Sequence, residues 1–181
     1  NGIEWIVGET EVRIGCDAGA IGQGIDAVAI GNNAGNDTQG NKSVSIGFNA
    51  GADNQAPFSV ALGTNAAEFE QKLGAVAIGN DAGKTSQGSF CVSIGGSSAE
   101  TNQGNRSVAI GSFSGFDGQG IDSIAIGSQS GRNKQGDNSI AMGYLAEAQT
   151  STLMGNDNVI ILNGTGIELK STTTDAFYVK P

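Results

Sequence analysis

The sequence predicts an all-β protein, a parallel β-solenoid or β-roll in which each sixteen-residue repeat forms one coil. Three observations support this. A V-x-I-G motif recurs every 16 residues, apolar and small residues alternate within it, and the 181 residues include 30 glycines and only 2 prolines. Alternation with a period of two is the pattern of a strand. Strands stacked about 4.8 Å apart would give about nine coils, a rod roughly 40 Å long.

The repeat is counted from the valine of the motif, which we call position one. Position one is occupied, without an insertion, by Val12, Val28, Val44, Val60, Val76, Val92, Val108, Ile124 and Ile140. The β-branched side chains at positions one and three suit a pleated surface. We expect them to form the core, represented by Val28, Ile30, Val44, Ile46, Val76, Ile78, Val108 and Ile110.

Position twelve is glutamine in eight consecutive coils: Gln23, Gln39, Gln55, Gln71, Gln87, Gln103, Gln119 and Gln135. Amides stacked at the coil rise can each donate to one neighbour and accept from the other. We therefore predict a structural ladder along the rod. A row of glutamines that contacts a repetitive ligand is the alternative.

Three further columns suggest how the chain turns. Position seven is always small, as at Ala34, and indicates a second inward-facing site. Position thirteen is mostly glycine, as at Gly24, Gly40 and Gly104, and predicts a corner with positive φ. Position six favours Asn or Asp, as at Asn33, which tolerate left-handed backbone.

Positions two and sixteen are almost uniformly Ala or Ser, as at Ala29 and Ser43. A strand face exposed to solvent normally carries charged or long polar side chains. Small residues instead suggest that something packs closely there, and in a coil this thin a partner chain is the expected cover. We predict a homotrimer, with a monomeric solenoid as the alternative.

The segment Asn105 to Gly111, N-R-S-V-A-I-G, resembles the N-S-V-A-I-G repeats in the heads of trimeric autotransporter adhesins. The resemblance spans residues 12–150 and implies a trimer of left-handed parallel β-rolls that binds host surfaces. The repeat here is longer and has a distinct A-G-x-x-x-Q-G return segment, which resembles fibre proteins of phages and large DNA viruses. That resemblance implies a viral attachment fibre on the virion surface. A bacterial adhesin head at the cell surface is the alternative.

The repeat also divides the chain. Residues 1–11, with the only tryptophan at Trp5, are expected to cap the first coil, because open strand stacks recruit other strands. Residues 12–150 form the β-roll, and residues 151–181 a C-terminal β cap or transition segment. In viral fibres such a tail leads toward an intramolecular chaperone domain, so the resemblance implies one in the full-length protein. The sequence opens at Asn1 without a methionine, as expected of a fragment or processed product.

The positions that vary between coils are expected to form outward loops, where recognition usually occurs. Aromatic side chains there suit contact with a host cell-surface glycan or protein. Packing between subunits or coil corners is the alternative role. The candidates are Phe58, Phe69, Phe90, Phe113 and Phe116.

Composition argues against several functions. The chain lacks histidine, so histidine-based catalysis or zinc binding is not expected, and neither catalytic residues, a metal nor a cofactor is predicted. A net charge of −9 argues against nucleic acid, and no apolar run approaches a membrane span. Cys16 and Cys91 lie about five coils apart, too far for a disulfide, and are expected to be small buried residues. An ice-binding solenoid is a weaker alternative, because threonines are scattered.

Overall fold

The computed structural model describes residues 11–147, 157–170 and 173–180, which contain strands and turns and no helix. Twenty short strands are numbered β1 to β20 in chain order. Eleven form one long sheet: β1 (Val12–Ile14), β2 (Val28–Ile30), β4 (Val44–Ile46), β6 (Val60–Leu62), β8 (Val76–Ile78), β10 (Val92–Ile94), β12 (Val108–Ile110), β14 (Ile124–Ile126), β16 (Ile140–Gly143), β18 (Ile160–Asn163) and β20 (Phe177–Lys180).

Seven strands form a second, short sheet from the return segments: β3 (Asp37–Gln39), β5 (Asp53–Gln55), β7 (Phe69–Gln71), β9 (Thr85–Gln87), β11 (Thr101–Gln103), β13 (Asp117–Gln119) and β15 (Asn133–Gln135). A third sheet pairs β17 (Ala146–Glu147) with β19 (Leu169–Lys170). One strand of the long sheet and one of the short sheet make up each complete coil.

The coils stack in register. Val28 pairs with Val44, and Val44 with Val60, in parallel ladders that repeat through β16. In the short sheet, Gln39 pairs with Gln55 in the same way. Residues 16 apart are therefore vertical neighbours, and the predicted parallel β-solenoid is confirmed.

The turns that close each coil use left-handed backbone at position six, as expected. Asp17, Asn33, Asn49, Asn65 and Asp81 have φ values of 53–56°. Short polar side chains tolerate this region better than β-branched ones. The Asn/Asp preference at this corner is therefore explained.

The interior is filled by small residues, and here the sequence-based assignment was wrong. Ala29 and Ser45 at position two and Ser43 at position sixteen are fully buried, as is Ala34 at position seven. Interior serines bond locally, since Ser43 Oγ donates to the Gly40 carbonyl at 2.6 Å. The interior of each thin coil therefore holds small residues (Ala, Ser and Cys91) together with the position-twelve glutamines.

The residues predicted as core lie on the opposite, outward side of the long sheet and are partly exposed: Val28, Ile30, Val44, Ile46, Val76, Ile78, Val108 and Ile110. Period-two alternation shows that two faces differ, but not which face points inward. The face that needs a cover outside the chain is therefore the Val/Ile face, not the Ala/Ser face.

The position-thirteen glycines are also explained differently from the expectation. Gly24, Gly40 and Gly104 do not have positive φ. Instead, a Cβ on Gly104 would lie 2.6 Å from the backbone carbon of Gly120 in the next coil. Close stacking therefore favours glycine at this position, although Ala56 and Lys72 occupy it in two coils. In the coil with Ala56 at this position, the neighbouring β5–β7 ladder keeps only one residue pair.

The tail continues the long sheet with longer steps. Ile140 pairs with Ile160 and Ile160 with Phe177, steps of 20 and 17 residues. Val159 and Ile161 are buried there, so the interior becomes larger and more apolar. The predicted N-terminal cap around Trp5 lies outside the described residues.

The two cysteines are in different environments. Both are free thiols, Cys16 exposed and Cys91 buried. Cys91 occupies position sixteen and packs inside the coil as expected, but the expectation of burial is wrong for Cys16. Position five, where Cys16 lies, is on an outer corner. Burial, the largest effect, raises the pKa of the Cys91 thiol.

Candidate functional site

The glutamine column runs through the interior, between the two sheets. In every one of its eight coils, the glutamine Nε2 donates to the position-one carbonyl eleven residues earlier, at 2.8–3.2 Å. Gln39, for example, reaches the carbonyl of Val28 at 2.9 Å. Each glutamine therefore ties the short sheet to the long sheet within its own coil.

The same amides also link successive coils. Direct bonds of 2.9–3.4 Å from Nε2 to Oε1 join Gln55 to Gln71, Gln71 to Gln87, Gln103 to Gln119 and Gln119 to Gln135. Between Gln87 and Gln103 the link passes through Ser93, which accepts from Gln87 at 3.1 Å and donates to Gln103 at 2.8 Å. The structure thus brings six of the eight predicted ladder residues into one hydrogen-bonded column.

The column is interrupted near the N-terminal end. Position two of the first coil is Arg13, whose guanidinium donates to Gln23 Oε1. The buried Gln39 Oε1 has no hydrogen-bond partner. From Gln39 onward the glutamines are at most 3% exposed, so an external ligand cannot contact their amides.

A second amide ladder lies on the outer corner at position six, where the sequence suggested only turn geometry. Asn33 donates to Asn49 at 3.2 Å, Asn49 to Asn65 at 3.4 Å, and Asn65 to Asp81 at 3.0 Å. Burial opposes ionisation of Asp81, yet the bonds from Asn65 and Lys84 keep its pKa below the usual value. Three asparagines in a row at a spacing of 16, Asn33, Asn49 and Asn65, were the signal for this ladder.

The outer face of the long sheet forms what we call the apolar stripe, defined as the residues at positions one and three of β1 through β16. Ile160, Leu162, Phe177 and Val179 extend it in register onto β18 and β20. The stripe is partly exposed along its whole length, reaching 40% at Leu62. It forms a continuous apolar surface along the described coils.

The outward position of the short sheet, position eleven, is different. Its residues are small or polar: Thr38, Asn54, Glu70, Ser86, Asn102, Gly118 and Lys134. A solvated sheet face has this composition. The two sides of the rod therefore have opposite character, one suited to water and the other to a protein partner.

The five phenylalanines proposed for receptor contact do not form one site. Phe58 and Phe90, at position fifteen, flank the apolar stripe and are 59% and 60% exposed. Phe69 belongs to the short sheet and is exposed there. Phe113 and Phe116 form a pair on the position-six corner, with ring centroids 5.5 Å apart.

The Phe113–Phe116 pair is joined by a cation. The Arg132 guanidinium lies 5.8 Å and 5.9 Å from the two ring centroids. Its single hydrogen bond in this part of the structure is to Gln129, at 3.3 Å, and its buried Nε has no partner. This corner therefore combines aromatic surface with a cation that is not paired to a carboxylate within 4 Å among the described residues.

Within residues 11–147, 157–170 and 173–180, no group of three or more His, Cys, Asp or Glu side chains is placed to hold a metal ion. In the same ranges, no helix is long and apolar enough to span a bilayer.

Fold and surface together define a repeat β-solenoid with a small-residue interior and one apolar outer face. Residues 39–66 and 135–151 match the family model of the YadA head domain repeat. The two matches cover about a quarter of the chain. Neither the curated proteins nor the solved structures contain a significant match. In these two segments the repeats are similar to those of the YadA head domain, an adhesin-type head.

Proposed function

We propose that this chain is a structural segment of a homotrimeric attachment fibre, a stiff rod that spaces and presents a binding surface. The observation that supports it most is the apolar stripe. A soluble monomer rarely exposes one continuous apolar surface along its whole length. The function is mechanical and adhesive rather than catalytic.

A second and third copy of the chain would cover the stripe. Three rods whose long sheets face a common axis would bury positions one and three of every coil together. YadA-like heads form homotrimers, and the two repeat matches support the same stoichiometry here. Because polar residues occupy the opposite face, the trimer would present the short sheets to solvent.

Trimer formation is tested by placing one charge on each face. Ile78→Asp puts a carboxylate on the stripe, where association would bury it unpaired, and unpaired burial of a charge is strongly unfavourable. Asn102→Asp adds the same charge to the polar face and is the matched control. We expect Ile78→Asp to sediment as a monomer or to aggregate, while Asn102→Asp retains the wild-type mass. Equal behaviour of the two variants would contradict the proposed interface.

Attachment would use the solvent-facing side and corners. Phe69 and the Phe113–Phe116–Arg132 corner offer aromatic surface for a host glycan or protein, since aromatic faces suit both kinds of partner. The labelled protein would be applied to panels of intact bacterial and animal cells. We expect binding to one panel member to fall at least several-fold with Phe116→Ala and to persist with Lys134→Ala. Absence of binding to every cell type, or equal binding by both variants, would contradict this part of the proposal.

The fibre would belong to a virion or to a bacterial surface. The sixteen-residue repeat with its A-G-x-x-x-Q-G segment supports a viral fibre, and the YadA head repeat supports a bacterial adhesin head. The adjoining coding sequence distinguishes them. A downstream chaperone domain would place the protein on a virion, and a coiled-coil stalk with a membrane anchor on a cell.

A further inference from the structure

Two exposed phenylalanines lie on opposite flanks of the apolar stripe at nearly the same height. Phe48 occupies position five and is 50% exposed, and Phe58 occupies position fifteen of the same coil and is 59% exposed. Their heights along the rod therefore differ by less than one coil rise, about 4.8 Å. Lys42 Nζ lies 5.9 Å from the Phe58 ring centroid and adds a cation to that flank.

Each flank is apolar only in part of the rod. On the position-fourteen and -fifteen flank, Leu73 is exposed next to Phe58, and the Phe90 ring covers Gly74, where a Cβ would approach it to 2.9 Å. On the opposite flank, position five of the next two coils is polar, with the exposed Thr64 and Asn80. The position-fourteen and -fifteen flank is therefore apolar over three coils, whereas the position-five flank is apolar in these coils only at Phe48.

The coil before Phe48 and the coil three steps above it carry no large apolar residue on either flank. The coil before has Asn32 on one flank and Asn41 on the other, and both are exposed. Three coils above Phe48, the flanks carry Gly96 and the ion pair of Arg106 with Asp122, at 2.6 Å.

One coil above Phe48, Thr64 lies opposite Leu73, and two coils above, Asn80 lies opposite Phe90. Among the described residues, an exposed aromatic side chain therefore occurs on both flanks of the same coil only at Phe48 and Phe58.

A closed three-fold ring brings such flanks together. Its interfaces are heterologous, so one flank of each subunit meets the opposite flank of the next subunit. An axis parallel to the rod keeps equal coils at equal heights. We infer that Phe48 of one subunit packs against Phe58 of its neighbour, forming three aromatic contacts around the trimer that fix its axial register. This inference rests on the homotrimer proposed above.

The pairing also gives these two residues a role other than receptor contact. A stripe of repeated Val and Ile looks alike at every level, so a shift of one coil would still bury apolar side chains. A pair of facing aromatic residues that occurs at one level of the described coils penalises a shift of one coil. Phe48 and Phe58 would therefore act in assembly.

Cross-linking tests the inference in a Cys16→Ser background, which removes the exposed native thiol. The double variant Phe48→Cys/Phe58→Cys is oxidised or treated with a short bis-maleimide and run on a denaturing, non-reducing gel. We expect covalent dimers and trimers. The matched control Phe48→Cys/Asp122→Cys uses the same flank position four coils further along, about 19 Å away, and should remain monomeric on the gel.

A double-mutant cycle provides a second readout that needs no new thiol. Phe48→Ala and Phe58→Ala should each weaken trimer association about ten-fold, with little further loss in the double variant, because each removes the same contact. Additive losses of trimer affinity in the double variant would overturn the pairing, and so would cross-linking of the Phe48→Cys variant alone. The pairing would also be overturned if a protein that sediments as a trimer gave no cross-link. Each of these results would leave the proposed function standing. A wild-type protein that sediments as a monomer would overturn both.

Discussion

The side-chain amide of Gln71 donates to Oε1 of Gln87, 16 residues further on, at 2.9 Å. It also donates to the carbonyl of Val60 in its own coil at 2.9 Å. One side chain thus closes a coil and joins it to the next, using both protons of its amide. The repeat of this relationship explains why position twelve is invariant in a chain whose loops vary.

Gln87→Leu should destabilise the rod by about 1–3 kcal/mol, because it leaves the Val76 carbonyl and the Gln71 amide with one bond fewer each in a dry interior. Lys84→Ala, three residues away, removes part-exposed ion pairs to Asp81 and Glu68 at 3.2 Å and 3.8 Å and should lose less than about 1 kcal/mol. Denaturant unfolding followed by circular dichroism compares the two. Equal losses in the free energy of unfolding would show that the glutamine ladder contributes no more to stability than a surface ion pair.

Gly104→Ala should destabilise the protein, because its Cβ would lie 2.6 Å from the backbone of Gly120 and the coils would have to separate. Gly96→Ala is the matched control, since a Cβ at Gly96 meets nothing within 4 Å. The control should be neutral or stabilising by up to about 1 kcal/mol, through a less flexible unfolded chain. Thermal unfolding measures both, and a Gly104→Ala variant as stable as wild type would contradict the close-stacking explanation.

The carboxyl of Glu147 gives the C-terminal end a pH dependence. Burial, the largest effect, raises its pKa, and Glu168 adds to this, while Lys170 at 3.6 Å and Arg132 oppose it. The pKa of Glu147 is therefore higher in the folded protein than in the unfolded protein. Its contribution to the free energy of unfolding is complete at pH values below the unfolded-state pKa and is lost as pH rises through the folded-state pKa. Wild type should therefore gain stability relative to Glu147→Gln on acidification from neutral pH.

Chemical unfolding of wild type and Glu147→Gln from pH 7 to pH 4 measures this difference. The Gln variant removes the titrating group and keeps the shape, so its own pH profile serves as the baseline. If wild type instead loses stability relative to Glu147→Gln as pH falls, the ion pair with Lys170 outweighs desolvation.

Much of the fold was predictable because the repeat is strict. The 16-residue step identified Val28 and Val44 as vertical neighbours, and period-two alternation identified the strands. The glutamine column was predictable because a single residue type recurred where loops would vary. In each case the signal was local and repeated, so it did not depend on knowing what surrounds the chain.

Which face of the long sheet points into the coil could not be predicted in the same way. Val44 and Ser45 alternate whichever side is inside, and the larger residue was assigned to the interior. The distance between the two sheets decides the matter, because a coil this thin admits Ser45 but leaves Val44 outside. Assembly then becomes the natural cover for the larger residues.

Sedimentation equilibrium on the wild-type protein tests the account most directly, because every argument about the stripe requires more than one chain. The account predicts a single species of three times the 18.1 kDa chain mass across the concentration range. A well-behaved monomer of 18.1 kDa would contradict it, since the apolar stripe would then face water.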